Sequence, residues 1–271
     1  MQGDVVIDVP AESQVHKQVI RKDASARPVK MNPATRLYYV EVAEPDMHEP
    51  SGDFERLKIA LKDQWEIRDV ELDFFQFNKL QKTLRQGNWA VTVAIFNDHT
   101  SAPPRIVEIW PGLYEEGLYG LAIDLGSTTI AAHLTDLKSG EVLKSAGLMN
   151  PQIRFGEDLM SRVSYSMMNS GGDKEMTFVV REAINSLAEQ LRKETGIEKN
   201  SLVEVVFVCN PVMHHLLLGI DPVELGQAPF ALASSNSITV NASHLGLSNI
   251  CLLYTSPSPR DATLSRMPSS A

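Results

Sequence analysis

The sequence predicts an α/β protein with about two domains. Its 271 residues are 43% hydrophobic and 22% charged, as in ordinary globular proteins, and at roughly 150 residues per domain the length suggests two. Short strand-like runs alternate with amphipathic helical patterns along most of the chain. The pattern changes after a hinge-like stretch at residues 111–117, where we place the domain boundary.

The part before this boundary is predicted to be a small α/β domain over residues 36–117. Apolar alternation indicates strands, and the stripe formed by Phe54, Leu57 and Leu61 indicates an amphipathic helix. The expected elements, in chain order, are a strand at 36–45, helices at 51–65 and 75–86, and strands at 88–97 and 105–110. Upstream, residues 4–10 resemble a strand and the polar residues 11–35 a linker.

The part after the boundary begins with three strands and no crossover helix. Residues 119–150 alternate as strand, turn, strand, turn and strand. Two helices then follow. The second has a row of apolar residues that we expect to be buried, and Gly196 lies at its end. The apolar, β-branched run at 203–210 is typical of a central buried strand. The expected helices lie at 154–169, 177–196 and 210–219.

Composition excludes several classes of protein. The net charge of −9 argues against a protein that coats nucleic acid or binds an anionic membrane surface. No apolar run reaches the roughly 20 residues of a membrane span, and the first ten residues lack the pattern of a signal peptide. Two cysteines cannot form a disulfide framework, so we expect a cytoplasmic protein.

Residues 251–271 differ in character from the rest. They read CLLYTSPSPRDATLSRMPSSA, rich in Ser and Pro, and they follow a segment that stops in mid-pattern. This segment resembles a translated sequencing adapter. We therefore expect residues 251–271 to be disordered and the natural sequence to end near Ile250; a natural Pro-rich tail is the alternative.

The clearest chemical motif is the turn at Asp124–Thr129, between the first two strands of the second part. Gly126 allows the backbone to approach a ligand closely. Turn N–H groups and the hydroxyls of Ser127, Thr128 and Thr129 can surround phosphate oxygens. Asp124 can hold a hydrated Mg²⁺ ion, which prefers carboxylate and water ligands.

Two common nucleotide motifs do not explain this turn. It is not a P-loop, because no Gly-Lys-Ser/Thr sequence and no helix follow it. It is not a dinucleotide fingerprint either, because G-x-G-x-x-G is absent. A plain hairpin turn rich in Ser and Thr remains the alternative.

Several polar residues elsewhere are candidates for supporting roles. Asn210 follows the predicted central strand, at the edge of the sheet where ligands commonly bind, and is predicted to line the site. Arg154, Glu157 and Asp158 lie at a helix start, where they either contact the nucleotide or metal indirectly or simply match the helix dipole.

Three further residues are predicted to have no catalytic role. Cys209 is expected to be an inert buried thiol. His214 and His215 are adjacent, and metal pairs on helices need a spacing of three or four residues, so we exclude a metal site there.

Taken together, the hairpin, third strand, helices and apolar strand resemble the first lobe of the acetate kinase, sugar kinase, Hsp70 and actin superfamily (ASKHA), whose ATPase domain has a mixed sheet. More narrowly, the chain resembles the reductive activators of corrinoid-dependent proteins. The matching segments are YGLAIDLGSTTIAAHLTDLKSGEVL, NPQIRFGEDLMSRVSYSM and CNPVMHHLLLGIDPVELGQAPF. Upstream, GDVVIDVPAESQVHKQVIRK and RLYYVEVAEP are similar to their linker and middle region, so the resemblance covers residues 3–245.

This resemblance implies a function and a domain order. Such proteins carry a 2Fe-2S ferredoxin domain, a middle domain and an ATPase domain, and they use ATP and Mg²⁺ to drive reduction of Co(II) corrinoid to Co(I). It implies a partner, the corrinoid protein of a methyltransferase system, and leaves a homodimer open. On this basis residues 1–35 are the end of the ferredoxin domain and a linker, 36–117 the α+β middle domain, and 118–250 a truncated first ATPase lobe.

The chain departs from the family pattern in its cysteines. A 2Fe-2S cluster needs four Cys ligands, and the chain has two, one of them in the expected adapter segment. We therefore expect a fragment that lacks the ferredoxin domain and the second lobe and hydrolyses ATP poorly alone. The alternatives are a small-molecule kinase with the same hairpin, an activator of a radical dehydratase, and a nucleotide-sensing adaptor without enzymatic activity.

Overall fold

The computed structural model describes residues 31–48, 50–98, 102–247 and 252–257, which form two sheets flanked by helices. The first sheet and its helices comprise strands β1 (Thr35–Glu41), β2 (Glu71–Leu72), β3 (Ala90–Phe96) and β4 (Arg105–Pro111), with helices α1 (Asp53–Trp65) and α2 (Phe74–Gln86). The sheet order is β1-β3-β4-β2, antiparallel except for the β2–β4 pair. Helices α1 and α2 contribute Leu57, Leu61, Leu80 and Leu84 to its core.

The second sheet has six strands and carries the candidate site. Its elements are β5 (Tyr119–Leu125), β6 (Thr129–Asp136), β7 (Val142–Met149), α3 (Leu159–Met168), α4 (Gly172–Thr195), β8 (Leu202–Cys209), α5 (Pro211–Leu218), β9 (Thr239–Asn241) and β10 (Leu252–Pro257). The order is β7-β6-β5-β8-β10-β9. Strands β5, β6 and β7 form an antiparallel meander, whereas β8 is parallel to both β5 and β10. The sheet is therefore mixed, as predicted.

Local sequence signals explain the longest helix. The seam of α4 is formed by Val180, Ile184, Leu187 and Leu191, each at most 1% exposed. Gly196 ends the helix in the left-handed conformation, with φ 72°, which costs glycine little. On the sheet, Phe207 of β8 is fully buried against the same core, as the apolar run predicted.

The two halves of the molecule share a small apolar contact. Phe96, Trp110, Leu118 and Val203 are buried in one cluster between the sheets. Beside it, the hydroxyl of Thr35 donates a hydrogen bond of 2.5 Å to the buried carboxyl of Glu204.

The structure differs from three of our expectations about the fold. Disorder of residues 251–271 is wrong for 252–257, because these residues pair as β10 with β8 and β9; residues 258–271 lie outside the described residues. The single helix expected at 154–169 is a 3-10 helix at Pro151–Phe155 followed by α3, because Asn150 and Asp158 each cap a separate start. The first strand ends at Glu41, well before residue 45.

One prediction cannot be compared with the structure, since the strand expected at residues 4–10 lies outside the described residues. The remaining short 3-10 helices span Lys199–Ser201, Val223–Gly226 and Ala242–Leu245. Within the described ranges, no helix combines the length and the apolar character needed to cross a bilayer.

Candidate functional site

The Asp124–Thr129 motif forms the tight turn that joins β5 to β6. The N–H of Gly126 donates to the carbonyl of Thr129 at 3.0 Å. A Cβ atom at position 126 would lie 2.8 Å from that carbonyl oxygen, closer than real Cβ contacts allow. Glycine is therefore required here by close approach of the backbone.

The turn lies at the edge of the sheet where the parallel strands β5 and β8 both end. Asp124 pairs with Val208, and Leu125 pairs with Cys209, so Asn210 follows at the same edge as the turn. Asp124 and Val208 are exposed on one face of the sheet, and Val208 is 45% exposed. The Oδ1 atom of Asn210 accepts the N–H of Met213 at 2.9 Å and caps α5.

All three carbonyl groups of residues 126–128 are bound by two residues behind the turn. Asn150 Nδ2 donates to the carbonyl of Gly126 at 2.8 Å, and Asn150 N donates to that of Thr128 at 2.8 Å. Between them, Arg162 Nη2 donates to the carbonyl of Ser127. The turn is thus held from behind through its backbone.

This arrangement sets the direction of the N–H groups. In a trans peptide the N–H points opposite to the C=O of the same unit. The N–H groups of Ser127 and Thr128 therefore point away from Asn150 and Arg162, and neither has a backbone acceptor within the described part of the chain. Two adjacent donors beside hydroxyl side chains match the oxygens of a phosphate group. The turn therefore presents a set of donors that can bind a phosphate group and that a plain hairpin would not need.

Asn150, Gln152 and Arg162 form a buried polar network, and each is 0% exposed. Arg162 Nη1 donates to Gln152 Oε1 at 3.2 Å, and Arg162 Nε donates to the carbonyl of Gly156 at 3.0 Å. Gln152 Nε2 in turn donates to the carbonyl of Met176 at 3.0 Å. Burial lowers the pKa of Arg162 to about 10, so the guanidinium remains charged at neutral pH.

Sequence reasoning missed these three residues. A signal for Asn150 existed, because an Asn before Pro151 at the end of a strand is typical of a cap or turn. A signal for Arg162 existed as well, since it precedes Val163 on the buried face of a short amphipathic helix. Nothing local, however, indicated that either residue contacts the turn.

The three charged candidates lie on the surface, Arg154 on the 3-10 helix and Glu157 and Asp158 just before α3. Arg154 is exposed and lies over the ring of Phe155, 4.6 Å from its centroid. Glu157 is also exposed, and the Oδ1 atom of Asp158 accepts the N–H of Ser161 at 2.7 Å. That hydrogen bond lowers the pKa of Asp158. The contact observed for Asp158 is therefore that of a helix cap.

The cysteine and the two histidines are buried within the second half. Cys209 is 3% exposed. His215 uses both ring nitrogens inside the protein, with Nδ1 bonded to the carbonyl of Pro211 at 2.7 Å and Nε2 accepting from Ala233 N at 3.1 Å. His214 Nε2 lies 2.8 Å from the hydroxyl of Thr255. Burial lowers the pKa of both imidazoles.

The described residues do not fit an iron–sulfur cluster. They contain Cys209 alone among cysteines, and they contain no group of three or more His, Cys, Asp or Glu side chains placed to hold a metal. A hydrated Mg²⁺ ion makes a smaller demand, since one carboxylate plus phosphate oxygens is a common arrangement. Asp124 could provide that carboxylate.

The chain matches two family models and several known proteins. Residues 24–116 match the RACo linker region and residues 119–259 the RACo middle region. The corrinoid activation enzyme RamQ of Eubacterium limosum is 32% identical over 127 residues, which cover 46% of this chain and 21% of that enzyme. The solved structure of a reductive activator for corrinoid, iron-sulfur protein is 30% identical, with a TM-score of 0.73, and the match covers 86% of this chain.

The chain therefore spans a minor part of these relatives, 37% of the length of the solved activator. The ethanolamine utilization protein EutJ of Carboxydothermus hydrogenoformans also matches, at 16% identity and a TM-score of 0.24, over 42% of this chain and 50% of that one. That score is too low to support a structural argument.

Proposed function

The chain belongs to the RACo family, and we propose that it is part of an ATP-dependent activator that reduces a Co(II) corrinoid protein to the Co(I) state. The names of two relatives support the corrinoid part of this proposal, since one is a corrinoid activation enzyme and the other a reductive activator for a corrinoid, iron-sulfur protein. We propose a corrinoid protein of a methyltransferase system as the partner, met in the cytoplasm.

The ATP part of the proposal depends on one observation, the outward N–H groups of Ser127 and Thr128. These donors, with the hydroxyls of Ser127, Thr128 and Thr129, bind the phosphate oxygens. Asp124, exposed at the end of β5, holds Mg²⁺ through a water molecule. Asn210 lines the same edge of the sheet beside the phosphates.

The redox step requires one electron from outside these residues. A Co(II) corrinoid that gains one electron becomes Co(I), and the donor must lose that electron. The described part of the chain holds no set of iron–sulfur ligands. We therefore propose that the electron comes from a reduced 2Fe-2S cluster in the full-length family member, which needs four cysteines.

ATP contributes free energy rather than electrons in this scheme. A nucleotide can shift the equilibrium between two states of the protein only if it binds one of them more tightly than the other. We propose that the turn binds ATP more tightly in the state docked on the corrinoid protein, where cobalt is easier to reduce. The chain's own residues orient the phosphates, and this coupling makes the uphill reduction possible.

The test uses the complete gene product with a corrinoid protein, a chemical reductant and MgATP. Low-spin Co(II) is paramagnetic and Co(I) is not, so loss of the Co(II) electron paramagnetic resonance signal measures the reaction. We expect the loss to require MgATP, and Asp124→Ala to slow it by about 100-fold because the metal loses its carboxylate. Asp63→Ala, an exposed carboxylate on α1, is the matched control and retains activity.

Three outcomes would contradict the proposal or one of its parts. Reduction that proceeds equally without MgATP removes the ATP part. ATP-dependent binding of the corrinoid protein without any reduction favours the adaptor instead. Equal rates for Asp124→Ala and the wild type would remove the assignment of Asp124 to the metal.

A further inference from the structure

We infer that Asn150 and Arg162 are positioning residues for the Asp124–Thr129 turn, and that the charge of Arg162 makes this turn selective for a polyphosphate. The inference deepens the proposed nucleotide site and rests on it. It adds how the turn distinguishes the polyphosphate of ATP, with its high negative charge, from a monophosphate or a neutral sugar.

The first step of the argument is geometric. Asn150 binds the two outer carbonyls of the turn, those of Gly126 and Thr128, with two different nitrogen atoms. Arg162 binds the central carbonyl, that of Ser127, and ties it to the carbonyl of Gly156. Because all three carbonyls are fixed, the peptide planes cannot rotate, and the outward direction of the N–H groups is set before a ligand arrives.

The second step concerns charge. Arg162 is 0% exposed, and its hydrogen-bond partners are neutral: two backbone carbonyls, Gln152 Oε1 and the sulfur of Met213. No carboxylate forms an ion pair with it within the described ranges; Asp158 acts on it only through space. A buried charge without a counter-ion is unfavourable. A polyphosphate on the outer side of the turn supplies the missing negative charge across one peptide unit.

The third step links the two through the peptide dipole. A donor bound to a carbonyl polarises that peptide and strengthens its N–H as a donor. Arg162 on the carbonyl of Ser127 therefore strengthens the N–H of Thr128, and Asn150 on the carbonyl of Gly126 strengthens that of Ser127. The buried cation thus acts on the ligand through the backbone, without touching it.

The experiment measures binding by this chain directly. Amide resonances of Ser127 and Thr128 are followed in the isotope-labelled protein during titration with orthophosphate, pyrophosphate, tripolyphosphate and MgATP. In the wild type we expect affinity to rise steeply with ligand charge. Arg162→Gln should weaken tripolyphosphate binding about tenfold, which corresponds to loss of one charge-assisted interaction. The rise in affinity with ligand charge should also flatten.

Further variants separate charge from geometry. Arg162→Lys keeps the charge but loses the planar guanidinium, whose N–H donors bind several acceptors at once. The affinity should therefore fall, while its dependence on ligand charge persists. Asn150→Ser keeps a capping residue but loses the donor to Gly126, and should weaken binding about threefold. Arg181→Gln is the matched control, because Arg181 also donates to a backbone carbonyl, that of Leu217, at 2.9 Å. Its binding should equal that of the wild type.

The outcomes are distinguishable. If tripolyphosphate and MgATP leave the wild-type turn resonances unchanged, the proposed nucleotide site itself is wrong, and this inference falls with it. If the wild type binds and Arg162→Gln and Asn150→Ser bind equally well, with the same dependence on ligand charge, only the positioning role is overturned. Should Arg162→Gln fail to fold, Arg162→Lys and Asn150→Ser decide by the same criteria.

Discussion

The two halves of the molecule each bury an arginine, and they treat its charge differently. In the first half, Arg56 is 7% exposed and donates to the carboxylate of Asp53, which also accepts Arg85 Nη1 at 2.8 Å. In the second half, Arg162 is 0% exposed and donates to carbonyls and an amide. The charge of Arg56 is neutralised by an adjacent carboxylate, whereas the charge of Arg162 faces the backbone carbonyls of a loop.

This difference indicates what each arginine does. A carboxylate partner neutralises the charge of Arg56 within the first half. Arg56 therefore contributes to the stability of α1 and the surrounding core. Loop carbonyls do not neutralise Arg162, and its free energy improves when an anion approaches the turn. Burial alone does not separate these roles, whereas the identity of the partner does.

The largest effect should come from removing the carboxylate partner in the first half. Asp53→Ala leaves Arg56 buried without its counter-ion and should lower the free energy of unfolding by about 3 kcal/mol. Urea unfolding followed by tryptophan fluorescence measures this, since Trp65, Trp89 and Trp110 all lie in that half. Glu55→Ala, an exposed acid in the same helix turn, is the control and should cost at most about 0.5 kcal/mol.

A smaller effect is expected for the arginine behind the turn. Arg162→Met removes a buried charge that has no counter-ion and leaves carbonyls unsatisfied, so without ligand it should cost only about 1 kcal/mol. Urea unfolding followed by far-ultraviolet circular dichroism, to which both halves contribute, measures this, and the fluorescence of the three tryptophans follows the first half separately. A loss as large as that of Asp53→Ala would mean that the charge is already compensated, and would end the contrast between the two arginines.

The smallest effect concerns a third buried charge, Glu204, between the sheets. Burial raises its pKa above the ordinary 4.5, against the hydrogen bond from Thr35. The folded state therefore holds the proton more tightly than the unfolded state, and this stability is present below pH 4.5 and is lost as the pH rises through the folded pKa. Glu204→Gln should remove that loss.

Unfolding midpoints measured across this pH range test the assignment. The wild type should lose stability relative to Glu204→Gln as the pH rises, until Glu204 is fully ionised. Glu182→Gln, which alters an exposed acid on α4, is the control and should follow the wild type. Parallel curves for the wild type and Glu204→Gln would show that Glu204 is not the group responsible.

Much of the fold and part of the candidate site followed from local patterns. The seam from Val180 to Leu191 and the glycine after it predicted α4, because helical periodicity and a cap depend on nearby residues. The turn at Asp124–Thr129 was found for the same reason, since its glycine and hydroxyls are contiguous. The break before α3 was missed, because two competing caps looked like one continuous amphipathic segment.

The sequence by itself determined the mixed α/β class, the hairpin and the residues of its turn, because each depends on neighbours within a few positions. Only the tertiary structure decided that Asn150 and Arg162, 24 and 35 residues from their turn partners, hold the carbonyls of that turn. It also decided that residues 252–257 add a strand beside β8. Such contacts depend on how distant segments pack around a common core, and no local periodicity records them.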